Sequence, residues 1–230
     1  MHNLKALALA ISICTASAAF GQNLILNGSF EAQGAVGFTI GTGVDSSSIT
    51  NWSLQTTSGT SAFTIFAAPG SNEPNPAHGS FLLNIGGFGT GKGVGLLWQD
   101  FATIPGDTYD VALYFGRGNN DSLASDFISL RASAFNIVSG SPSGSALNFT
   151  DSGSAPATGA VGNLSLVGFQ FVATGTTSRL LLNDTSVSSG NSVHLDNVAV
   201  IATSVPEPST ALLAVSGGAI LLARRRRTSF

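Results

Sequence analysis

Between Gln22 and Val205, apolar residues come in short runs broken by Gly, Ser, Asn, Asp and Pro, and none sustains a helical period. These runs predict β-strands over 52–56, 62–67, 80–85, 94–101, 108–115, 127–135, 164–173, 178–183 and 193–201. Pro105-Gly106-Asp107 reads as a turn: Pro presets the first central position and Gly takes the left-handed one. That turn predicts a hairpin between the flanking strands. Nine short strands separated by turn signals point to an all-β fold, a β-sandwich or jelly roll. A β-helix is the runner-up, and it lacks a fixed repeat period here. The Gly/Ser-rich stretch 139–162 reads as a flexible surface excursion from that body.

The ends follow other rules. Met1 to Gly21 opens with Lys5, continues through an apolar run from Ala6 to Ile13, and closes on small residues, the pattern of a secretory signal peptide. Cleavage after Ala18 and cleavage after Gly21 both satisfy the small-residue rule; a mature start at Gln22 is the preferred reading, giving a signal peptide of 1–21 and a body of 22–204. Such a leader hands the chain to the general secretion machinery. Cys14 is the only cysteine and leaves with the leader. The exported body then has no disulfide, no thiol nucleophile and no thiolate metal site.

At the other end, Pro206-Glu207-Pro208 precedes an uncharged, mostly apolar run over 209–223 and then Arg224, Arg225, Arg226 and Arg227. The apolar run reads as a transmembrane helix, with the Arg block as its cytoplasmic stop. Taken together, segment 205–228 resembles the PEP-CTERM sorting signal of Gram-negative bacteria. The resemblance implies that an exosortase recognises Pro206, Glu207 and Pro208 after export across the inner membrane. It implies transient anchoring by the C-terminal helix, then cutting near the motif, with a final location at the cell surface or outside the cell.

Charge sharpens the picture once the ends are set aside. The 230-residue chain has 9 Lys plus Arg against 12 Asp plus Glu, close to balance. The body alone has four basic residues, Lys92, Arg117, Arg131 and Arg179, against eleven acidic ones, a formal charge of −7. A body so acidic offers nothing to a phosphate backbone, and nucleic acid is excluded as a partner.

The body has a resemblance of its own. Asn27-Gly28-Ser29-Phe30-Glu31 after Leu24-Ile25-Leu26, then Trp52, then Trp98-Gln99-Asp100-Phe101, and finally Leu195 to Val200 are similar to the opening, middle and closing strands of galactose-binding-like jelly rolls. Those domains include several carbohydrate-binding module families. The resemblance implies that Glu31 and Asp196 help hold a structural calcium, the one cofactor expected, with none required for activity. Hard oxygen ligands suit that ion. Flat rings that can cover the C–H faces of a sugar make Trp52, Trp98, Tyr109 and Tyr114 the candidate ligand contacts.

No catalytic residues are expected. His78 and His194 lack a paired ligand spacing, and no nucleophile-elbow pattern accompanies the many serines. The leading expectation is an exported, exosortase-processed structural or adhesive protein of the cell envelope or exopolysaccharide matrix, with exopolysaccharide as a partner. The alternatives are a non-catalytic carbohydrate-binding module and a secreted glycan hydrolase.

Overall fold

The computed structural model describes residues 21–32, 34, 36–40, 43–56, 61–67, 74–86, 95–117, 128–137, 147–151, 164–186 and 193–203. The signal peptide and the sorting segment with its apolar run and Arg block lie outside the described residues. Among the described residues, no helix is long and apolar enough to cross a membrane.

The described chain forms two six-stranded antiparallel sheets. Sheet A is ordered β1 (Val36–Ile40), β4 (Ser61–Ala67), β5 (Phe81–Gly86), β12 (Val193–Ala202), β7 (Thr108–Arg117) and β10 (Ser165–Val172). Sheet B is ordered β2 (Gly43–Ile49), β3 (Trp52–Thr56), β6 (Gly95–Ala102), β11 (Thr177–Asp184), β8 (Ile128–Asn136) and β9 (Leu147–Asp151). This is the expected all-β sandwich.

A period of two builds it. In β11, Ser178, Leu180, Leu182 and Asp184 are buried, while Thr177, Arg179, Leu181 and Asn183 alternate with them on the outer side. Its partner β6 does the same with Leu97, Gln99 and Phe101 inside. The two inner faces meet in one core, where Trp52, Leu54, Leu97 and Leu180 of sheet B join Phe63, Ile65, Leu113 and Leu195 of sheet A. Phe101 meets Phe171 edge-on across the layers at 6.2 Å, and Phe115 lies 6.5 Å from Phe149. These ring pairs fill the space between sheets that pack roughly 10 Å apart.

Two expectations change. The Pro105-Gly106 turn forms, with Gly106 at φ 89° and Asp107 N–H donating to the Ile104 carbonyl at 3.1 Å. It does not close a hairpin. β6 pairs with β3 and β11 in sheet B, whereas β7 pairs with β12 and β10 in sheet A, so the turn carries the chain from one layer to the other. Tyr109 pins this corner: its hydroxyl accepts a hydrogen bond from Ile104 N–H at 2.8 Å, and its ring stacks on Phe171 at 5.3 Å. The second change concerns the excursion at 139–162, which contains strand β9. β9 pairs with β8 from Ala132↔Leu147 to Ile128↔Asp151, and Phe149 packs against the core. Phe149 anchors this short edge strand within a polar stretch of sequence.

The segment before β1 bonds to both sheets. On sheet A, Leu24 N–H donates to Val200 O at 2.9 Å, and the Asn23 side chain accepts from Val200 N–H and donates to Val198 O. On sheet B, Gln99 accepts from Leu26 N–H at 2.7 Å and donates to Leu26 O and Asn51 O, while Trp52 Nε1 donates to Asn27 O. Phe30 sits in the left-handed region at φ 57°, a costly place for a bulky residue, held there by a fully buried ring 5.8 Å from Trp52. Gly28 is needed for close approach, because a Cβ there would overlap the Val198 carbonyl. Gly28→Ala is expected to cost about 2–3 kcal/mol, seen as a lower urea midpoint at unchanged slope. A midpoint equal to that of the unaltered protein would remove this contact as a constraint on closure.

Candidate functional site

The alternation that fills the core also decorates the outside of sheet B. Residues that alternate with core positions emerge there in cross-strand rows. Ser53, Trp98, Leu181 and Ser133 form one row, and Gln55, Leu96, Asn183 and Arg131 the next. Asp100, Arg179 and Phe135 form a third, on the other side of Trp98. Trp98 is partly exposed on a central strand, amid amides, hydroxyls and charges.

Its orientation is set by a neighbour. Arg179 lies with its guanidinium carbon 5.2 Å from the centre of the Trp98 ring, and it forks onto Asp100 through Nε at 2.6 Å and Nη2 at 2.9 Å. Hydrogen bonding to Asp100 raises the Arg179 pKa further, against the opposing effect of partial burial. A planar cation over an indole is worth about 0.5–1 kcal/mol at an exposed site. The guanidinium takes one face of the ring, and Trp98 itself remains partly exposed. Asn183, in the adjacent row, has its Oδ1 buried with no hydrogen-bond partner among the described residues.

The four expected aromatic contacts separate. Trp52 is only 1% exposed and belongs to the core, with its indole N–H committed to Asn27 O. Tyr109 is likewise a core and corner residue at 2% exposure. Tyr114 is half-buried on the outer face of sheet A, opposite Leu166 across the β7–β10 pair. Trp98 alone of the four stands on sheet B's outer face. Its neighbours Gln55, Arg179 and Asn183 were not among the sequence candidates; their alternation with buried residues is the signal that points to them.

The outer face of sheet A has a feature of a different kind. Gly168 lies opposite Ala112, within an open trough of about 570 Å³ lined also by Asp110, Leu166 and Gln170. Its polar end is already satisfied, since Gln170 Nε2 donates to Asp110 Oδ1 at 2.7 Å. The trough has room but little to orient a ligand.

Glu31 and Asp196 converge on a single stretch of backbone. Glu31 Oε1 accepts from Ser80 N–H at 2.9 Å and Phe81 N–H at 2.8 Å, and Asp196 accepts from His78 N–H at 2.7 Å and Asn197 N–H at 2.6 Å. Asp196 starts an irregularity in the β12–β7 register, with Asn197 at φ 46°. Gly79, at φ +72°, faces Glu31 with no space for a Cβ. The two carboxylates are hard oxygen donors of the kind calcium takes, and both already accept backbone N–H groups. Among the described residues there is no group of three or more His, Cys, Asp or Glu side chains that could hold a metal. An ion at this clamp would therefore draw the rest of its shell from main-chain carbonyls and water.

No protein-family model matches this chain, and no curated protein sequence matches it. Solved structures do resemble it. One is an arabinose-bound MgGH51 α-L-arabinofuranosidase, with TM-score 0.55, 10% identity, and coverage of 83% of this chain and 28% of that one. Another is the enzymatically active domain of tailspike protein 4 of bacteriophage CBA120, with TM-score 0.43, 13% identity, and coverage of 78% and 21%. A third is TmCBM61 in complex with β-1,4-galactotriose, with TM-score 0.42, 13% identity, and coverage of 79% and 99%. The chain thus spans less than a third of the first two. The likeness to the arabinofuranosidase establishes the two-sheet β-sandwich fold.

Asp196 gives the site a measurable pH dependence. Its side chain is fully buried, and desolvation pushes its pKa up to about 6, against hydrogen bonds from backbone N–H groups that act in the other direction. The folded protein thus keeps a proton to about pH 6 that the unfolded chain releases near pH 4. Stability is expected to fall between those values as pH rises, by on the order of 2–3 kcal/mol, and then level off. Urea titrations at stepped pH should show this slope, and Asp196→Asn should flatten it. An unchanged slope in that variant would remove Asp196 as its source. A bound calcium would hold the carboxylate ionised and suppress the slope, so the same titration with excess calcium and with chelator reads occupancy.

Proposed function

We propose that the body is a non-catalytic module that binds an extended glycan across the outer face of sheet B. The observation that carries this reading is Trp98: an indole on a central strand, braced on one side by the Arg179–Asp100 pair and flanked by rows of amides and hydroxyls. In this reading a sugar ring presents C–H groups to the exposed part of the indole while its hydroxyls meet Gln55, Ser53 and Asn183. The sandwich fold suits this use, because a sheet face offers an extended, pre-formed platform. The reading moves the carbohydrate-binding alternative ahead of a purely structural or adhesive role; adhesion then follows from glycan binding rather than replacing it. Calcium, if held by Glu31 and Asp196, is structural in this reading and takes no part in sugar contact.

Asp100, the carboxylate beside Trp98, is engaged by Arg179, and Glu31 is spent on the backbone of Ser80 and Phe81. Neither is placed as a free acid or base, which supports binding without hydrolysis. Trp98→Ala is expected to weaken glycan binding at least tenfold, about 1.4 kcal/mol, in affinity electrophoresis or calorimetry. Tyr114→Ala, on the opposite sheet, should leave affinity unchanged. Equal binding by the Trp98 variant would sink the proposal.

Delivery belongs to the same reading. The leader over 1–21 takes the chain through the general secretion machinery, and segment 205–228 presents Pro206-Glu207-Pro208 to an exosortase, placing the module at the cell surface or in the exopolysaccharide matrix. Replacing those three residues by Ala should leave the full-length C-terminus in the membrane fraction, as read by mass spectrometry of the native and altered proteins. Identical processing of both would rule out exosortase sorting.

A further inference from the structure

We infer that the glycan recognised by the outer face of sheet B is anionic, a polysaccharide bearing uronic acid carboxylates, with Arg131 as the carboxylate-binding residue. This rests on the glycan-binding reading above and names its substrate class.

Three observations carry it. First, cations are scarce in a body of formal charge −7, and their placement is uneven. Of the three arginines of the body, Arg117 is 4% exposed, whereas Arg131 and Arg179 both alternate with core residues on the outer side of sheet B. Second, their states differ. Arg179 is committed to Asp100 and to the Trp98 ring. Arg131 is exposed, and among the described residues no carboxylate lies within ion-pair distance of it. Third, Arg131 lies in register with Asn183, beside the Trp98 row. The offset from Trp98 is two strands and two residues, about 12 Å between backbone positions at ordinary sheet spacing. A ligand stacked on Trp98 thus reaches Arg131 only through a further sugar unit, so the ligand is an oligosaccharide lying obliquely over β6, β11 and β8.

Overall negative charge argues against anionic partners, but the argument acts over distance. At physiological salt the Debye length is about 8 Å, less than the roughly 10 Å separating the two sheets. Carboxylates on the far side of sheet A, such as Asp110, are screened from the outer face of sheet B. Among the described residues that alternate outward on the central strands of sheet B, Arg131 and Arg179 stand against Asp100, one positive charge in excess. Chemistry also favours a carboxylate over a diffuse charge, since a guanidinium offers parallel N–H donors that match its two oxygens.

The test measures binding of the full-length protein to polygalacturonate, alginate, dextran sulfate and a neutral galactan. The expected result is at least tenfold tighter binding to one of the polyuronates than to either other polymer. Arg131→Ala should lose that preference while keeping affinity for the neutral glycan, and Arg131→Lys should recover only part of it. Because Arg131 is exposed, the urea midpoint should not move. Unchanged polyuronate binding in Arg131→Ala would overturn the inference and leave glycan binding standing if Trp98→Ala still weakens the neutral glycan. Preference for dextran sulfate would overturn the carboxylate assignment. Binding to none of the four polymers would overturn the glycan-binding reading together with this inference.

Discussion

One short segment, residues 23–31, has to satisfy its main-chain groups against two sheets at once, and the sandwich closes around that requirement. Asn23 acts as a two-way splice to β12, accepting from the Ile25 and Val200 N–H groups and donating to the Val198 carbonyl. Gln99 does the corresponding work from β6, within an otherwise apolar inner row. A buried amide with its donors and acceptors satisfied is tolerable, whereas one left half-bonded would cost about 1–3 kcal/mol. Each group in the set therefore depends on the others, and the left-handed turns at Asn27 and Phe30 are held by the same network. The Glu31 and Asp196 clamp extends it to the backbone leading into β5.

From that frame the proposed binding face arises without separate machinery. A strand that buries Leu97, Gln99 and Phe101 must turn Trp98 and Asp100 outward, and its neighbour, burying Ser178, Leu180 and Leu182, must turn out Arg179 and Leu181. Register then places Arg179 opposite Asp100 and diagonal to Trp98. The ion pair is partly exposed, so its direct contribution to stability is small. Its larger effect is positional, because it restricts two flexible side chains and an indole to one arrangement, which would lower the ordering cost of the proposed binding.

Much of this was legible in the sequence, for a reason the strands make plain. Where alternation is strong, as in Thr108–Arg117 and Val193–Ala202, strand positions were readable to within two residues. β1, β2 and β9 escaped because Gly, Ser and Asn dilute their pattern, and pairing with a neighbour rather than intrinsic preference holds them in place. The Pro105-Gly106 turn was readable, but local sequence does not encode which sheet receives the next strand. The aromatic residues show the same boundary. Residue type ranks Trp52 and Trp98 equally, while parity separates them: Trp52 shares its side with Leu54, and Trp98 shares its side with Asp100. Arg131 and Arg179 were visible as scarce charges, but their common face depends on β8 and β11 being neighbours, a long-range pairing.

The stitch between the two ends of the fold also sets an order in time. Asn23 and Val200 are separated by 177 positions, and the Asn23 to Val198 bond spans 175. Contacts that distant must close nearly the whole chain into a loop before they return any free energy, which slows folding in β-rich topologies. A chain emerging from its N-terminus exposes the opening segment first and its docking strand last. The bonds that join the opening segment to β12 therefore cannot form until β12 has emerged, so the last strand made completes the first segment's hydrogen bonding.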